Sequence, residues 1–334
     1  MCLTGCRDKD PKPSKEPIVY TTGNETLTIP IRGKPVAKYW KNKTGVSLSD
    51  GTREVYANSI YVSGTDVYVA GYDYIPERGN HVAKYWKNGE EVILTNEATD
   101  AYAFDIFVID GNVYVCGYDN LYGMTHPVYW KNGEEINLGV EFVGYAMDIM
   151  VVNNDVYVAG YESNSSGSSF GAVYWKNGKK VALSAKNDNV YVDAKSIFVN
   201  GNDVYVTGRE RSVAGAVSLY WKNGQEIRLT DGRYDTDVNS VYVNDNDVYV
   251  AGYESNGSAY VAKYWKNGQE VKLTDGSRSA GANSIFVLGN DVYVAGYEYA
   301  DSNNYWATYW KNGQPVRITN GNSQGFISSI FIVR

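Results

Sequence analysis

The chain has 334 residues, a length that admits two ordinary domains or one large all-β domain. With 43% hydrophobic and 21% charged residues it can bury a core and does not have a disordered composition. A net charge of −7 excludes a general nucleic-acid binder, and two His and three Cys exclude a multi-His metal site and a disulfide scaffold.

At the start of the chain, residues 3–6 read Leu-Thr-Gly-Cys. They resemble the lipobox of bacterial lipoproteins, in which a small residue precedes a Cys that becomes lipidated. Only Met1 and Cys2 stand before it, short of the basic start and apolar stretch of a full signal. The following segment, RDKDPKPSKEP at 7–17, is polar and Pro-rich, as suits a tether. Residues 1–17 are therefore expected to be a signal remnant and flexible tether, with Cys6 lipidated and Cys2 removed. That places the protein at the envelope of a Gram-negative bacterium, periplasmic or surface-exposed, touching the membrane only through an N-terminal lipid anchor. No run approaches the ~18 apolar residues of a membrane helix.

From residue 18 onward the chain is repetitive. Tyr-Trp-Lys-Asn recurs with its Trp at Trp40, Trp86, Trp130, Trp175, Trp221, Trp265 and Trp310, at spacings of 46, 44, 45, 46, 44 and 45 residues. Each copy holds four short runs rich in Val, Ile, Tyr and Phe, the residues of strands. Run A is of the type Ser-Ile-Phe-Val (284–287), run B Asp-Val-Tyr-Val-Ala-Gly-Tyr (66–72), run C Ala-Lys-Tyr-Trp-Lys-Asn-Gly, and run D a short apolar pair such as Val271 and Leu273. Asn-Gly after Trp-Lys is a strong hairpin signal, and Asp110-Gly111 or Gly201-Asn202 serves the A–B link. Each copy thus reads as a four-stranded antiparallel sheet. The seven repeated Trp are core, and Cys116, in place of the Ala of run B, is a small buried residue.

A period near 45 with four strands per copy is the pattern of a β-propeller. The alternative is a linear solenoid, and the termini separate the two. The first copy begins at run B, and the last segment, 327–333, is a lone run A. A solenoid has no reason to split a repeat, whereas a ring closes by having the C-terminal strand complete the first blade. The expectation is one domain, 18–334, an all-β seven-bladed β-propeller with blade 1 built from 327–334 and about 18–49.

The A–B and C–D links are constant in length, while the B–C links run 12 to 16 residues and the D–A links 11 to 14. In an up-and-down blade both variable links emerge on one face, where binding is expected. Ten Tyr lie outside the framework motifs, among them Tyr56, Tyr102, Tyr145, Tyr122, Tyr299 and Tyr305, and Trp306 lies outside the Tyr-Trp motif. Tyr56, Tyr102, Tyr145 and Phe326 share one position before run A, at the mouth of the channel. Exposed aromatics suit stacking on sugars or anchoring protein contacts, and they equally suit packing on adjacent loops. Glu25, Asp73, Asp119, Glu162, Glu210, Glu254 and Glu298 all follow run B, as a cation or sugar-hydroxyl ring or as loop caps. The Lys of each Tyr-Trp-Lys-Asn forms a matching ring on the opposite face, which makes the disc electrically two-faced. In run A, Asp105 and Asp148 break a ring of Ser59, Ser196, Ser240, Ser284 and Ser329. They read as a cation site or a raised pKa, or as carboxylates bonded to backbone at blade ends.

Catalysis finds little support. His81 and His126 sit in no recognisable motif, and Asp105 and Asp148 lack the repeated Asp-box of sialidase-type propellers. The repeats from residue 18 onward resemble those of lipoprotein-like seven-bladed β-propellers of Gram-negative bacteria that carry Tyr-Trp-Lys-Asn-Gly. That resemblance implies a fold and brings no activity with it. Lectin propellers are a looser parallel. The expected function is a non-catalytic, monomeric binding module without metal or cofactor, capturing a glycan through Tyr56, Tyr102, Tyr145, Phe326, Tyr299, Tyr305, Trp306, Asp105 and Asp148. The alternative is a scaffold for an envelope or extracellular protein on the same face, and a third reading is a glycan-processing enzyme at the channel mouth. Unequal B–C links, 163–172 against 255–262, keep the scaffold reading close.

Overall fold

A computed structural model describes residues 16–27, 33–96, 99–121, 123–139, 142–184 and 190–334. The lipobox with Cys6, and Tyr122, lie outside the described residues. Among those described there are 28 strands and no helix.

The C–D hairpin shows how the sequence builds the unit. Asn88 turns the chain at φ 54° and Gly89 at φ 89°, conformations that Asn tolerates and Gly favours. The Asn88 side chain then accepts a hydrogen bond from the Val67 amide at 2.9 Å, while its own amide donates to the Val67 carbonyl at 2.8 Å. The turn is thereby fastened to run B of the same copy. Asn42, Asn132, Asn177, Asn223, Asn267 and Asn312 repeat the left-handed φ.

Each copy is an antiparallel set in the order A-B-C-D, for example Val55–Ser63, Asp66–Ile75, Asn80–Lys87 and Glu90–Ile93. Single parallel pairs, Phe170 with Tyr191 and Tyr305 with Gln324, join neighbouring sets into two 8-stranded sheets. The first set takes its inner strand from the far end of the chain: Ser323–Val333 pairs with Ile18–Leu27 from Ile18↔Val333 to Leu27↔Ser323. Each inner strand packs on the next, and Ser323–Val333 packs on both Ala280–Leu288 and Val55–Ser63.

Every A strand carries a bulge, such as the one between Ala57 and Ser59. The Gly of run B lies opposite it because nothing larger fits: a Cβ on Gly71 would come within 1.9 Å of the Tyr56 carbonyl oxygen. The bulge turns the inner strand so that Ser59 and Tyr61 both line the channel.

The core lies between copies. Tyr68, Ala70 and Ala83 of copy two (55–93) pack with Ala101, Ile106 and Trp130 of copy three (100–137). The seven repeated Trp are at most 3% exposed, as their assignment to the core requires. Burial of each contributes roughly 2–3 kcal/mol. Cys116 is buried and free.

Candidate functional site

The channel is built from the alternation of the inner strands. In six of the seven copies the serine or aspartate after the bulge reaches to the next copy and accepts the backbone N–H there. Asp105 Oδ2 takes the Ile149 amide at 3.1 Å, Asp148 Oδ2 the Ile197 amide at 2.7 Å, and Ser196 Oγ the Val241 amide at 3.1 Å. Ser240 bonds Ile285, Ser284 bonds Ile330, and Ser329 bonds Ile60 at 3.4 Å. Ser59 differs, donating instead to Asp105 Oδ1. These bonds satisfy inner-edge amides that no strand can pair.

Asp105 and Asp148 also contact each other. Burial first, then the Asp148 carboxylate, holds the Asp105 carboxyl well above the usual carboxylate range, although part of its surface still meets the channel. The backbone tie between copies is made by both carboxylates, and the upward shift belongs to Asp105. The cavity around them measures about 460 Å³. A second layer, two residues further along each strand, is aromatic in six copies and Met150 in copy four, with Tyr61 4.9 Å from Phe107 and 4.8 Å from Phe331.

At the mouth, Tyr56, Tyr102 and Tyr145 are half-buried and stack on Tyr72, Tyr118 and Tyr161 of run B at 5.0, 4.7 and 4.9 Å. Contacts of 4.4 Å between Tyr72 and Tyr102, and 5.3 Å between Tyr118 and Tyr145, join these pairs across copies. With Tyr191 and Phe170 the rings form a continuous ladder over copies two to five. Burial leads in raising the pKa of the Tyr72, Tyr118, Tyr161 and Tyr191 hydroxyls. Tyr102 is pushed up to about 12 by burial and then by the Asp100 carboxylate, so it stays a donor.

His81 belongs to this ladder. Its Nδ1 lies 2.8 Å from Asp100 Oδ1 and 2.7 Å from the Tyr102 hydroxyl, and its ring is 4.5 Å from that of Tyr102. Sequence reasoning discounted His81 for want of a motif, and counted Tyr72, Tyr118 and Tyr161 as framework. The signal was cross-strand register, which sets Tyr56 directly opposite Tyr72.

Past Tyr191 the ladder gives way to charge between copies five and six. Arg209 stands where a Tyr stands in copies two to four, and pairs with Asp237 at 3.3 Å and Asp193 at 3.7 Å. Lys195 bonds Asp237 at 2.6 Å.

Three of the expected residues meet in one pocket. Tyr56, Tyr305 and Phe326 line a cavity of about 480 Å³ together with Glu54, Gln324 and Lys34, where the C-terminal strand meets the first two copies. Tyr299 stacks on Tyr305 at 4.6 Å, just outside. Trp306 is not among the lining residues: the Arg317 guanidinium sits 3.5 Å from its ring centre and Arg278 5.4 Å, so the ring already stacks on cations. Asp105 and Asp148 lie in the separate channel cavity.

The acidic positions after run B form no ring around the channel. Six of the seven pair with cations of runs C and D, as Glu25 with Lys38, Glu162 with Lys180 at 2.7 Å and Glu298 with Arg317 at 2.9 Å. The expected two-faced disc is corrected by the same chemistry. Lys87, Lys176, Lys222, Lys266 and Lys311 pair with Asp66, Asp155, Asp203, Asp247 and Asp291 at 2.7–3.2 Å, which neutralises most of the Lys ring on its own face.

No protein-family model matches the chain, and no curated protein does. Among solved structures it is similar to the β-propeller domain of the Trilobed protease from Pyrococcus furiosus, described as having an open velcro topology. The identity is 11% and the TM-score 0.57, over 92% of this chain and 94% of that one. It is also similar to an acylaminoacyl peptidase from Pyrococcus horikoshii, at 10% identity and TM-score 0.44, over 80% of this chain and 53% of that one. A fucose lectin from Kordia zhangzhouensis in complex with methyl-fucoside matches at 8% identity and TM-score 0.30, over 37% of this chain and 95% of that one. The last two likenesses carry no argument. The first shows the fold alone, and with the antiparallel four-stranded sets it makes this chain a β-propeller.

Proposed function

We propose that the chain is a non-catalytic, ligand-binding β-propeller of seven blades, closed by its C-terminal strand, that takes a glycan on its variable face. Closure is supported by the cycle of side-chain bonds from copy to copy, which returns from Ser329 to Ile60. The observation that carries the binding reading is the rim pocket: three aromatic rings, Tyr56, Tyr305 and Phe326, beside Glu54, Gln324 and Lys34. Rings stack on the apolar faces of sugars while carboxylate, amide and ammonium groups bond their hydroxyls. Attachment to the Gram-negative envelope through Cys6 belongs to the same proposal and rests on the lipobox.

Non-catalysis is supported by the geometry of Asp105 and Asp148. Glycosidase carboxyls stand about 5–5.5 Å or 6.5–9.5 Å apart, flanking the scissile bond. Here Asp148 bears directly on Asp105, and each is tied to a backbone amide of the next copy. A protein-scaffold reading is favoured by one observation, the unequal rim, aromatic over copies two to five and charged at Arg209, Asp193 and Asp237.

A thermal-shift screen of residues 17–334 against diverse oligosaccharides tests the proposal. A sugar hit is expected, with affinity falling at least tenfold in Phe326→Ala and Tyr305→Ala while the unliganded melting point moves little. A hit indifferent to both substitutions removes the pocket from the proposal, and silence across the screen leaves the scaffold reading.

A further inference from the structure

One acidic position after run B lacks the cation that its equivalents hold. In copy two, Lys84 Nζ lies 3.2 Å from Asp73 and 2.8 Å from Glu91. In copy six (236–272), Lys263 Nζ lies 2.8 Å from Glu254 and also contacts Glu270. The two lysines are 2% and 3% exposed. Strand register places these clamps identically, with the Lys opposite the run-B Gly and the second Glu opposite the Trp.

Copy three repeats both carboxylates. Asp119 follows Gly117 by two residues and Glu135 lies opposite Trp130, but Val128 stands opposite Gly117 in the place of the lysine. Valine lacks the outer Cδ, Cε and Nζ, so nothing from its own strand position reaches the carboxylates. Asp119 is 5% exposed and its Oδ1 has no hydrogen-bond partner. The matching oxygen of Asp73 is equally bare, so the bare oxygen alone does not distinguish copy three. The missing ammonium does: among the described residues Asp119 and Glu135 have no cationic partner, whereas Asp73 has both Lys84 and Arg53. Burial, then the Asp119 carboxylate, holds the Glu135 carboxyl above its ordinary range. His126 lies opposite Asp119 on the same face and forms no ion pair with either acid.

We propose that Asp119 and Glu135 form a binding site for an external primary ammonium group, entering from solvent past the exposed Glu135 and taking the place that Lys84 and Lys263 fill in copies two and six. The shared chemistry is a compact cation with N–H donors for two carboxylates, either the free ammonium ion or the terminal amine of a small alkylamine. The site is independent of the glycan pocket.

The test is thermal unfolding of the chain in chloride salts at constant ionic strength. Ammonium is expected to raise the melting point saturably, by about 2 °C, and tetramethylammonium, which has the charge but no N–H, is expected not to. A matching rise with methylammonium extends the site to terminal amines, and a rise with ammonium alone assigns it to the free ion. Val128→Lys should raise the melting point in the absence of ammonium and abolish the response. Should that variant not fold, Glu135→Gln on the exposed rim still decides, since it should at least halve the shift. The proposal is overturned by equal shifts from ammonium and tetramethylammonium, by a response unchanged in Glu135→Gln, or by a response to calcium without one to ammonium.

Discussion

Asp105 occupies a position at which five copies manage with serine, so its carboxyl exceeds the structural need. The common task is to accept an amide of the next copy, and four of the five serines do this at 3.1–3.4 Å. Burial and the Asp148 carboxylate raise the folded pKa of Asp105 above its unfolded value. Such a group contributes stability that is fully present below the unfolded pKa, near 4, and is lost as pH rises through the folded pKa. Asp105→Asn is therefore expected to be the more stable protein at pH 8, with the advantage vanishing below pH 4. Denaturant unfolding of both proteins at the two pH values measures this, and an advantage independent of pH would assign it to packing. The equivalence of the seven positions was legible because the copies align. Their task was not, because the bonds join residues 44 to 49 positions apart, and 269 apart for Ser329 and Ile60, separations that no local pattern reports.

At the scale of the element, the C–D hairpin was legible because its chemistry is local: Asn and Gly in succession need no partner elsewhere to announce a left-handed turn. The side chain of Asn88 adds a contribution that the turn alone does not require. It accepts from the Val67 amide and donates to Asp66 at 2.9 Å. Asn88→Gly keeps the φ and loses those bonds, which costs about 1 kcal/mol. Asn88→Ala loses them and must also hold φ 54°, which costs about 1 kcal/mol more. Urea unfolding of the pair separates the two contributions, and equal losses would mean that the turn relaxes to accept alanine. The bulge on each inner strand was not legible. Its extra residue, Asn58 in copy two, shows only in the register against run B, and the repeated Gly opposite it reads in sequence as flexibility rather than as the absence of room for a Cβ. The tyrosine ladder was half legible for the same reason. Tyr56, Tyr102 and Tyr145 stood out because they vary, while Tyr72, Tyr118 and Tyr161 were hidden by their regularity and by a register that sequence does not display.

At the scale of the molecule, the split first repeat was the most informative feature of the sequence, and it carries the sharpest test of the proposed ring. Ile327, Ile330 and Ile332 are at most 4% exposed, and they pack with Val19 of copy one and with Tyr293 and Ala295 of copy seven (280–317). Phe331 and Val333 turn to the opposite side and pack on the cluster that holds Val55 and Trp86 of copy two. One strand thus completes two inter-copy interfaces. Removing it forfeits about 5 kcal/mol or more of apolar burial, which is comparable to the whole stability of an ordinary domain. A chain ending at residue 322 is therefore expected to lose cooperative unfolding altogether, not one repeat's share of it. In a linear stack the same truncation would remove a terminal strand and leave the distant copies as they were. The pairing of Ile18 with Val333 supplies the complementary experiment. A short linker from residue 334 to residue 18, with new termini opened at the exposed loop around Gly167, preserves every interface of a ring and divides copy four between its ends. Its melting point should stay within about 5 °C of the parent, a shift worth no more than one or two kcal/mol. A permutant that unfolds like the truncated chain would show that the copies are held in a line.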